Sequence, residues 1–316
     1  MGYDVLTSGY VSMDHIINVA SPVRVGYTSL ITNADNTKIQ YGGCSVNIAV
    51  ALSKLGFLAM PVLRVGADWE SNGFKRFLME AGVSLDATTV LDDEATSTCY
   101  LLQDNHNDHY TIFYPGSMDR KYAVPIPDQF FENTKLGVVT VASRQDNRYF
   151  VDQCKKHGVP IVFGMKDDFD AFPAVFLKEL LEESSIIFMN EVEREIIEQI
   201  YGCSTIKRLF ETGKVQLLIT TLGKEGSICY EKTADGIKEY RTGICQVDQV
   251  VDATGSGDAF MSGFLYGYLN KRPIQKCCEL GTVLAAFVLQ KEGCCTNIPT
   301  AAELEERTEE FHVNGR

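Results

Sequence analysis

The chain has 316 residues, of which 45% are hydrophobic and 22% charged, proportions typical of a soluble globular protein rather than a disordered or fibrous one. Its 29 Lys and Arg residues against 42 Asp and Glu residues give a formal net charge of −13, which argues against a broad nucleic-acid-binding surface. No apolar run approaches the roughly 18 residues of a transmembrane helix, and the N-terminus carries no secretory signal, so the sequence predicts a cytoplasmic protein with no membrane partner.

In chain order, short apolar runs alternate with segments of helical spacing. The apolar runs are 3–9, 59–66, 136–142, 159–164, 185–190 and 215–220. The segments with helical spacing are 45–55, 71–81, 146–157, 173–183, 191–200, 204–212, 257–270, 273–291 and 301–311. Several runs are apolar at consecutive positions, as expected of strands buried on both faces. The alternation therefore predicts an α/β fold with a mostly parallel sheet covered by helices on both sides.

Two segments, 10–41 and 94–118, interrupt this alternation. The second contains TSTCYLLQD and HYTIFYPG, which alternate with a period of two on either side of the turn-like DNHND at 104–108. We expect both segments to form a small β-sheet that projects as a lid. No linker or internal repeat divides the chain, so a single domain spanning residues 1–316 is predicted.

Ten cysteines include the adjacent pairs Cys277–Cys278 and Cys294–Cys295 but no C-x-x-C spacing. Zinc ligands are normally separated by two to four residues, and free cysteine behaves as a small hydrophobic residue. We therefore expect buried reduced thiols rather than a zinc site.

The stretch DATGSGDAF at 252–260 follows the strand-like CQVDQVV at 245–251 and precedes an apolar helix. Glycines at a helix N-terminus let backbone N–H groups approach an anion, which the helix dipole also favours. Asp258 stands beside that position, where a carboxylate would repel a phosphoryl group unless it accepts a proton from an attacking hydroxyl. The alternative is an ordinary turn with an aspartate that favours the helix dipole.

A second glycine pair, Gly42–Gly43, precedes the apolar helical segment 45–55. Asn47 in the first turn of that helix either satisfies free N–H groups or points into a cleft and binds a ligand hydroxyl. FMNEVERE places Asn190 at a strand end with Glu193 three residues later, a spacing that suits a capping box or a metal–phosphate site.

Together and in this order, four motifs resemble those of the ribokinase-like (PfkB-type) carbohydrate and nucleoside kinases. GGCSVNIAVALSKLG resembles the N-terminal signature of the family and VVDATGSGDAFMSGFLYGYL its C-terminal D-T-x-G-x-G-D signature. NEVE resembles the N-x-x-E element and TLGKEG the ATP-binding turn. The resemblance spans about residues 5–300 and implies a ribokinase-like three-layer sandwich with a small β-sheet lid.

The resemblance also implies a role for each matched residue. Asp258 is the base that deprotonates the acceptor hydroxyl, and Ala253 through Gly257, including Gly255 and Ser256, form an anion hole for the transferring phosphoryl group. The residues implied to hold the acceptor are Asp14, Gly42, Gly43, Asn47 and Phe113. Those implied to bind ATP are Asn190, Thr221, Gly223, Gly226 and Gly257. Those implied to organise metals are Asn190 and Glu193 for Mg²⁺, largely through water, and Asp252 and Thr254 for K⁺.

The predicted acceptor is adenosine or a related purine nucleoside, phosphorylated at its 5′ hydroxyl. HYTIFYPGSMD resembles lid segments of the nucleoside-phosphorylating branch, and the lid aromatics Tyr110, Phe113 and Tyr114 either face a purine or pack against one another. A sugar such as ribose or fructose is the alternative acceptor, and a nucleoside-binding sensor without turnover is a more remote alternative. Lids of this kind often pair, so a homodimer through the lid is also expected.

The sequence departs from the family pattern after the strand VPIVF, where relatives often carry Asp-Pro and this chain reads GMKDDFDAFP. Lys166 in this stretch and Arg144 in ASRQDN are cations near strand ends that the resemblance does not account for. Each of them either stabilises transition-state charge or lies on the surface.

Overall fold

The computed structural model describes residues 2–104 and 109–314. The strands of these residues are β1 (Val5–Ser8), β2 (Ser12–Asn18), β3 (Ile39–Gly42), β4 (Ala59–Gly66), β5 (Thr88–Leu91), β6 (Thr98–Gln103), β7 (His109–Tyr114), β8 (Leu136–Val139), β9 (Ile161–Gly164), β10 (Ser184–Asn190), β11 (Leu217–Thr221), β12 (Ser227–Thr233) and β13 (Gly236–Thr242). The helices are α1 (Cys44–Lys54), α2 (Phe74–Glu80), α3 (Arg144–His157), α4 (Ala174–Glu183), α5 (Glu191–Ile200), α6 (Leu209–Thr212), α7 (Ser256–Leu269), α8 (Ile274–Val288) and α9 (Ala301–Asn314).

The large sheet has the strand order β13-β12-β11-β10-β9-β8-β1-β4-β5. Its strands run parallel from β5 through β11, and β12 and β13 are antiparallel additions at one edge. All residues of β1, β8 and β9 are buried, as their consecutive apolar positions predict. Val5 and Leu6, adjacent in β1, belong to two different hydrophobic cores, so the sheet is covered on both faces. The predicted mostly parallel α/β fold is confirmed.

Each predicted apolar run overlaps a strand and each predicted helical segment overlaps a helix, whereas β5, β12 and β13 were not predicted. The prediction of a strand at 245–251 is wrong. This segment is a loop in which Val250 and Val251 are more than half exposed. Its backbone is bound to the end of α8 instead of to a strand, because the N–H of Val251 donates to the carbonyl of Leu289 at 2.8 Å. Of the apolar residues that suggested a strand, Cys245, Val247 and Val250 line a cavity instead.

A second sheet of the described residues has the order β3-β2-β6-β7, and except for Gly42 its strands fall within the segments 10–41 and 94–118. Residues 105–108 of the predicted turn DNHND lie outside the described residues. The register aligns four residues across the sheet, and because paired residues share a face, they form one row. This row is Gln40, Asp14, Cys99 and Phe113.

Within the described residues, no helix combines the length and apolar character that a membrane crossing needs. The ten cysteines all lie in these ranges and form no disulfide, and seven of them are buried. The same ranges contain no group of three or more His, Cys, Asp or Glu residues arranged to hold a metal ion.

Candidate active site

A cavity opens at the carboxyl ends of the central strands, where parallel sheets commonly bind ligands. We call it the polar cavity because ionisable and amide side chains lie in its wall, although apolar side chains line it as well. Strand ends, the turns that follow them and the first turn of α7 all contribute to its wall. Its polar and small lining residues include Cys44, Thr140, Lys166, Asn190, Glu193, Thr221, Gly257 and Asp258. Sequence positions as distant as 44 and 258 therefore meet in one site.

The N-terminus of α7 is built to leave backbone N–H groups available. Gly255 precedes the helix with a φ of 75°, and a Cβ at this position would lie 2.7 Å from Cys294 Cβ. No side chain among the described residues caps the helix at Gly255. A Cβ on Gly257 would meet no atom within 4 Å, so packing does not require glycine there and the space in front of the helix is open. The helix end thus has the geometry of an anion site.

Asp258 is 9% exposed and lies in the first turn of α7. Burial raises the pKa of its carboxyl, while the Asn47 amide, the charge of Lys166 and a hydrogen bond with Cys44 oppose that rise. Asn47 Nδ2 donates to Asp258 Oδ2 at 2.8 Å. A buried carboxylate whose pKa is raised but which still has hydrogen-bond support is suited to accept a proton.

Asn47 does not cap α1, because no side chain makes a cap hydrogen bond at the N-terminus of that helix. Its amide instead orients Asp258, and its Oδ1 accepts a hydrogen bond from Cys295 Sγ at 3.3 Å. A contact of Asn47 with a substrate hydroxyl stays a prediction.

Of the predicted acceptor residues, Asp14, Gly42 and Phe113 lie on the small sheet, and Gly43 and Asn47 lie at the start of α1. A Cβ on Gly42 would lie 3.1 Å from Asp14 Oδ2, and one on Gly43 would lie 2.1 Å from the carbonyl oxygen of Tyr10. Gly43 also has a φ of 98°, so both its conformation and its close contact require glycine. Burial raises the pKa of Asp14, although a hydrogen bond from Ser12 opposes the rise.

The lid aromatics do not share one face. Phe113 lies in the row of Asp14, and its ring meets that of Tyr10 edge-on with the centroids 5.1 Å apart. Tyr110 and Tyr114 point to the opposite face, because side chains alternate along β7. The prediction that all three aromatics face a purine is therefore wrong, and Phe113 alone of the three occupies the face that carries Asp14.

Asn190 and Glu193 form a capping box at the start of α5. Asn190 Oδ1 accepts from Glu193 N at 2.8 Å, and Glu193 Oε2 accepts from Asn190 N at 2.8 Å. Glu193 is 6% exposed, and burial raises the pKa of its carboxyl while Lys166 opposes the rise. The capping interpretation is confirmed. Both residues also line the polar cavity, so the box holds their oxygen atoms at its wall.

A second cavity of about 490 Å³ adjoins the first. Thr221, Gly223, Gly226 and Gly257 line it, as does Ala253 of the predicted anion hole. The sequence did not predict its other walls, which come from the loop between β13 and α7 and from one face of α8. The residues of these two walls include Ile244, Cys245, Gln246, Val247, Val250, Thr282, Ala285, Ala286 and Leu289. The spacing of Thr282, Ala285, Ala286 and Leu289 marks one helical face, which was the available signal.

Asp252, Lys166 and Arg144 lie in three different surroundings. Asp252 orders the turn before α7, since its Oδ1 accepts from Thr254 N at 2.8 Å and its Oδ2 from Gly293 N at 3.0 Å. Lys166 follows β9 and lines the polar cavity. Arg144 begins α3, is exposed, and lines neither of the two adjoining cavities.

An anion site beside a carboxylate that can take up a hydroxyl proton is what phosphoryl transfer to an alcohol requires, and this protein is a phosphotransferase with an alcohol group as acceptor. The model of the pfkB family of carbohydrate kinases matches residues 4–301, and the chain belongs to that family.

Archaeal relatives are similar along almost the whole chain. The chain is 28% identical over 308 residues to a nucleoside kinase of Methanocaldococcus jannaschii, covering 96% of both chains. It is 25% identical over 312 residues to a nucleoside kinase of Methanothermobacter thermautotrophicus, covering 96% of this chain and 95% of the relative. The crystal structure of the Methanocaldococcus jannaschii nucleoside kinase, an archaeal member of the ribokinase family, matches with a TM-score of 0.87 at 26% identity, covering 98% of this chain and 100% of that one. The ribokinase-like fold is confirmed.

Proposed function

We propose that this kinase transfers the γ-phosphoryl group of ATP to the 5′ hydroxyl of a purine nucleoside, with adenosine as the expected acceptor. The observation that carries the proposal is the position of the α7 N-terminus between the two cavities. Gly257 lines both of them, and Asp258 lies beside it in the smaller polar one. A nucleotide in the larger cavity would therefore direct its terminal phosphate toward Asp258.

In the proposed reaction, Asp258 Oδ takes the proton of the acceptor hydroxyl as the hydroxyl oxygen bonds to the γ-phosphorus. The bond from phosphorus to the bridging oxygen breaks, and ADP leaves with that electron pair. The N–H groups at the start of α7 stabilise the charge on the transferring phosphoryl oxygens. Because Asp258 is buried, water has little access to the proton that it receives.

The donors at the cavity wall fit Mg²⁺. This ion usually binds one or two carboxylates and keeps several waters and substrate phosphates as ligands, so a large protein cage is not needed. Glu193 and Asn190 would hold it, largely through water, and the bound ion would neutralise charge on the ATP phosphates.

Potassium near Asp252 and Thr254 is also part of the proposal. Both carboxylate oxygens of Asp252 already accept backbone N–H groups, so Asp252 shapes a turn whose remaining oxygen lone pairs suit a monovalent cation. A rate that is several-fold higher in KCl than in NaCl at equal ionic strength would support this site.

A nucleoside acceptor is favoured by the row on the small sheet. Asp14 provides a carboxylate for ribose hydroxyls, and Phe113, two strands away in the same row, provides an exposed ring that a base can pack against. The curated relatives named above are nucleoside kinases and are similar to this chain along nearly its whole length. A free sugar would have no base to pack against the exposed part of the Phe113 ring.

The test is ADP release from MgATP, with potassium present, across adenosine, inosine, guanosine, cytidine, ribose and fructose 6-phosphate. Turnover with purine nucleosides far above the sugars is the expected result. Turnover with sugars alone would make the protein a sugar kinase of the same fold. Binding of nucleosides without any turnover would make it a sensor.

We also propose a homodimer through the lid. The face of the small sheet opposite Asp14 carries Tyr100, Tyr110, Ile112 and Tyr114, each between 42% and 58% exposed. Tyr100 and Ile112 are directly paired, and the Tyr100 ring stacks on His15 with the centroids 5.3 Å apart. Large apolar side chains in adjacent rows of an open sheet suit the same face of a second copy.

A further inference from the structure

We propose that Lys166 is a further catalytic residue, whose ammonium group binds the transferring phosphoryl group across the polar cavity from the N-terminus of α7. This inference rests on the proposed function. Lys166 lies in the stretch where the sequence departs from the family pattern, so the motifs assign it no role.

The backbone around Lys166 is fixed at the carboxyl end of β9. The N–H of Met165 donates to the carbonyl of Phe188 in the neighbouring strand β10 at 2.9 Å, and the side chain of Met165 is 3% exposed. The N–H of Asp168 donates to the carbonyl of Lys166 at 2.9 Å and closes a tight turn. The side chain therefore starts from a rigid position at the cavity wall, as a catalytic group requires.

The charge of Lys166 is present at neutral pH. The pKa of the ammonium is raised above the ordinary lysine value by Cys44, Asp258 and Glu193, against the opposing effect of desolvation. Because burial raises the pKa of the Cys44 thiol and keeps it neutral near pH 7, the two carboxylates provide the stabilising charge there. These neighbours lie in the same cavity wall.

The charge is also available. Across residues 2–104 and 109–314, the Lys166 side chain makes no hydrogen bond and no ion pair within 4.0 Å, although two carboxylates influence it electrostatically. Lys166 is exposed to solvent and lines the polar cavity. A lysine that is held near carboxylates without being bound by them can reach a ligand at no cost of breaking an ion pair.

Binding of a phosphoryl group in the polar cavity requires a positive charge such as that of Lys166. Asp258 and Glu193 both line the cavity, and although the proposed Mg²⁺ would offset the charge of Glu193, the Asp258 carboxylate repels an incoming phosphate. The N–H groups of α7 supply only a partial positive charge on one side. Lys166 supplies a full charge from the end of β9, so the phosphoryl oxygens would lie between two positive groups. Because charge spreads over those oxygens in the transition state, the contact should act mainly on kcat.

The test compares Lys166→Met and Lys166→Arg with the wild type, using the acceptor that the wild type phosphorylates fastest. We expect Lys166→Met to lower kcat by about 10²-fold or more, as for loss of a single transition-state donor, with the KM of the acceptor unchanged. Lys166→Arg, which keeps the charge, should recover most of that loss. The binding of MgADP with aluminium fluoride and acceptor should weaken in Lys166→Met, while the binding of MgADP alone should not.

Lys135→Met is the matched control. Lys135 precedes β8 at the opposite, amino-terminal edge of the sheet and pairs with Asp4 at 2.7 Å, so its loss also removes one charge. Its kinetics should equal those of the wild type. Calorimetric binding of the acceptor shows that each variant is folded, and Lys166→Gln replaces the methionine variant if that one is not.

Three outcomes would overturn the inference while leaving the proposed function in place. If the wild type is active and Lys166→Met has the same kcat, the inference about Lys166 is refuted and the proposed function is not. A rise in the KM of MgATP with kcat unchanged would limit Lys166 to ground-state nucleotide binding. A loss of rate that higher pH restores would make Lys166 a positioning residue that tunes Asp258. Absence of turnover by the wild type would overturn the proposed function itself, and this inference with it.

Discussion

At the scale of single residues, the site depends on how Asp258 is held. Burial disfavours its charged form, whereas the Asn47 amide and the nearby Lys166 favour that form. Its raised pKa makes the carboxylate, in its charged form, a better proton acceptor than an aspartate in water. Asn47 Oδ1 in turn accepts a hydrogen bond from Cys295 Sγ, so one thiol contributes to the geometry of the proposed base.

Asp258→Asn removes the proton acceptor but keeps the shape of the side chain. Since general-base catalysis contributes roughly 10²–10⁴-fold, we expect turnover to be abolished while acceptor binding measured by calorimetry stays nearly intact. A variant that kept more than about a tenth of the wild-type rate would disprove the base assignment, because even the lower bound of that contribution would then be missing.

The pH dependence follows from the same contacts. Asp258 acts only when ionised, so the rate should fall as the pH drops through its raised pKa. In Asn47→Ala the hydrogen bond that favours the charged form is lost, the pKa rises further, and the acid limb of the kcat profile should move to higher pH. Ser262→Ala is the control, because Ser262 Oγ donates at 2.7 Å to the backbone carbonyl of Asp258 and not to its carboxylate. An acid limb that stayed in place in Asn47→Ala would contradict the argument.

At the scale of elements, two glycines at the start of α7 are constrained for different reasons. Gly255 must be glycine because its φ of 75° and the nearby Cys294 exclude a side chain. Gly257 lies in an ordinary helical position with open space before it, so only a ligand would exclude a side chain there. Folding constrains the first glycine, and the proposed function constrains the second.

Gly257→Ala and Gly255→Ala should therefore have different effects. In Gly257→Ala the free energy of unfolding should be unchanged or higher by about 0.5–1 kcal/mol, because alanine favours helix more than glycine does. The kcat of this variant should nevertheless fall by roughly 10²-fold, because the new methyl group blocks the phosphate. Gly255→Ala should lower the free energy of unfolding by about 1–3 kcal/mol. Chemical denaturation and steady-state kinetics on the same samples measure both quantities. A Gly257→Ala variant with full activity would argue against phosphate binding at this helix.

At the scale of the whole molecule, residues 292–295 connect the lid to the site. Gln40 Nε2 of the lid strand β3 donates to Glu292 Oε1 at 2.8 Å. The next residues reach the turn of Asp252 through Gly293 N, and Asn47 through Cys295 Sγ. Hydrogen bonds through residues 292–295 thus join the small sheet to the turn before α7 and to Asn47, the partner of Asp258.

The lid also carries the proposed dimer contact. Ile112→Glu places a charge in the middle of the exposed apolar face and should convert a dimer to a monomer, as measured by light scattering after gel filtration. Ile237→Glu, at a similarly exposed isoleucine on β13, should leave the dimer intact. A monomeric wild type, or a dimer that persists in Ile112→Glu, would exclude this interface.

The sequence by itself determined the α/β alternation, because burial on both faces leaves consecutive apolar positions that are visible in runs such as 136–142 and 185–190. It also indicated the family and the glycine-rich turn before α7, since glycine at a positive φ and a carboxylate in the first helical turn leave a local signature. The short strand β5 and the pair β12 and β13 left too little pattern to predict. The segment 245–251 left a misleading one, since cavity-lining and strand-forming valines look alike in sequence.

Tertiary structure alone decided which side chains meet. Asn47 and Asp258 are 211 positions apart, and the hydrogen bond between them depends on how α1 packs against α7. The register of the small sheet separates Phe113 from Tyr110 and Tyr114, and the turn after β9 brings Lys166 to the polar cavity. Contacts between distant segments depend on the packing of whole elements, and residue periodicity within one element carries no record of its neighbours.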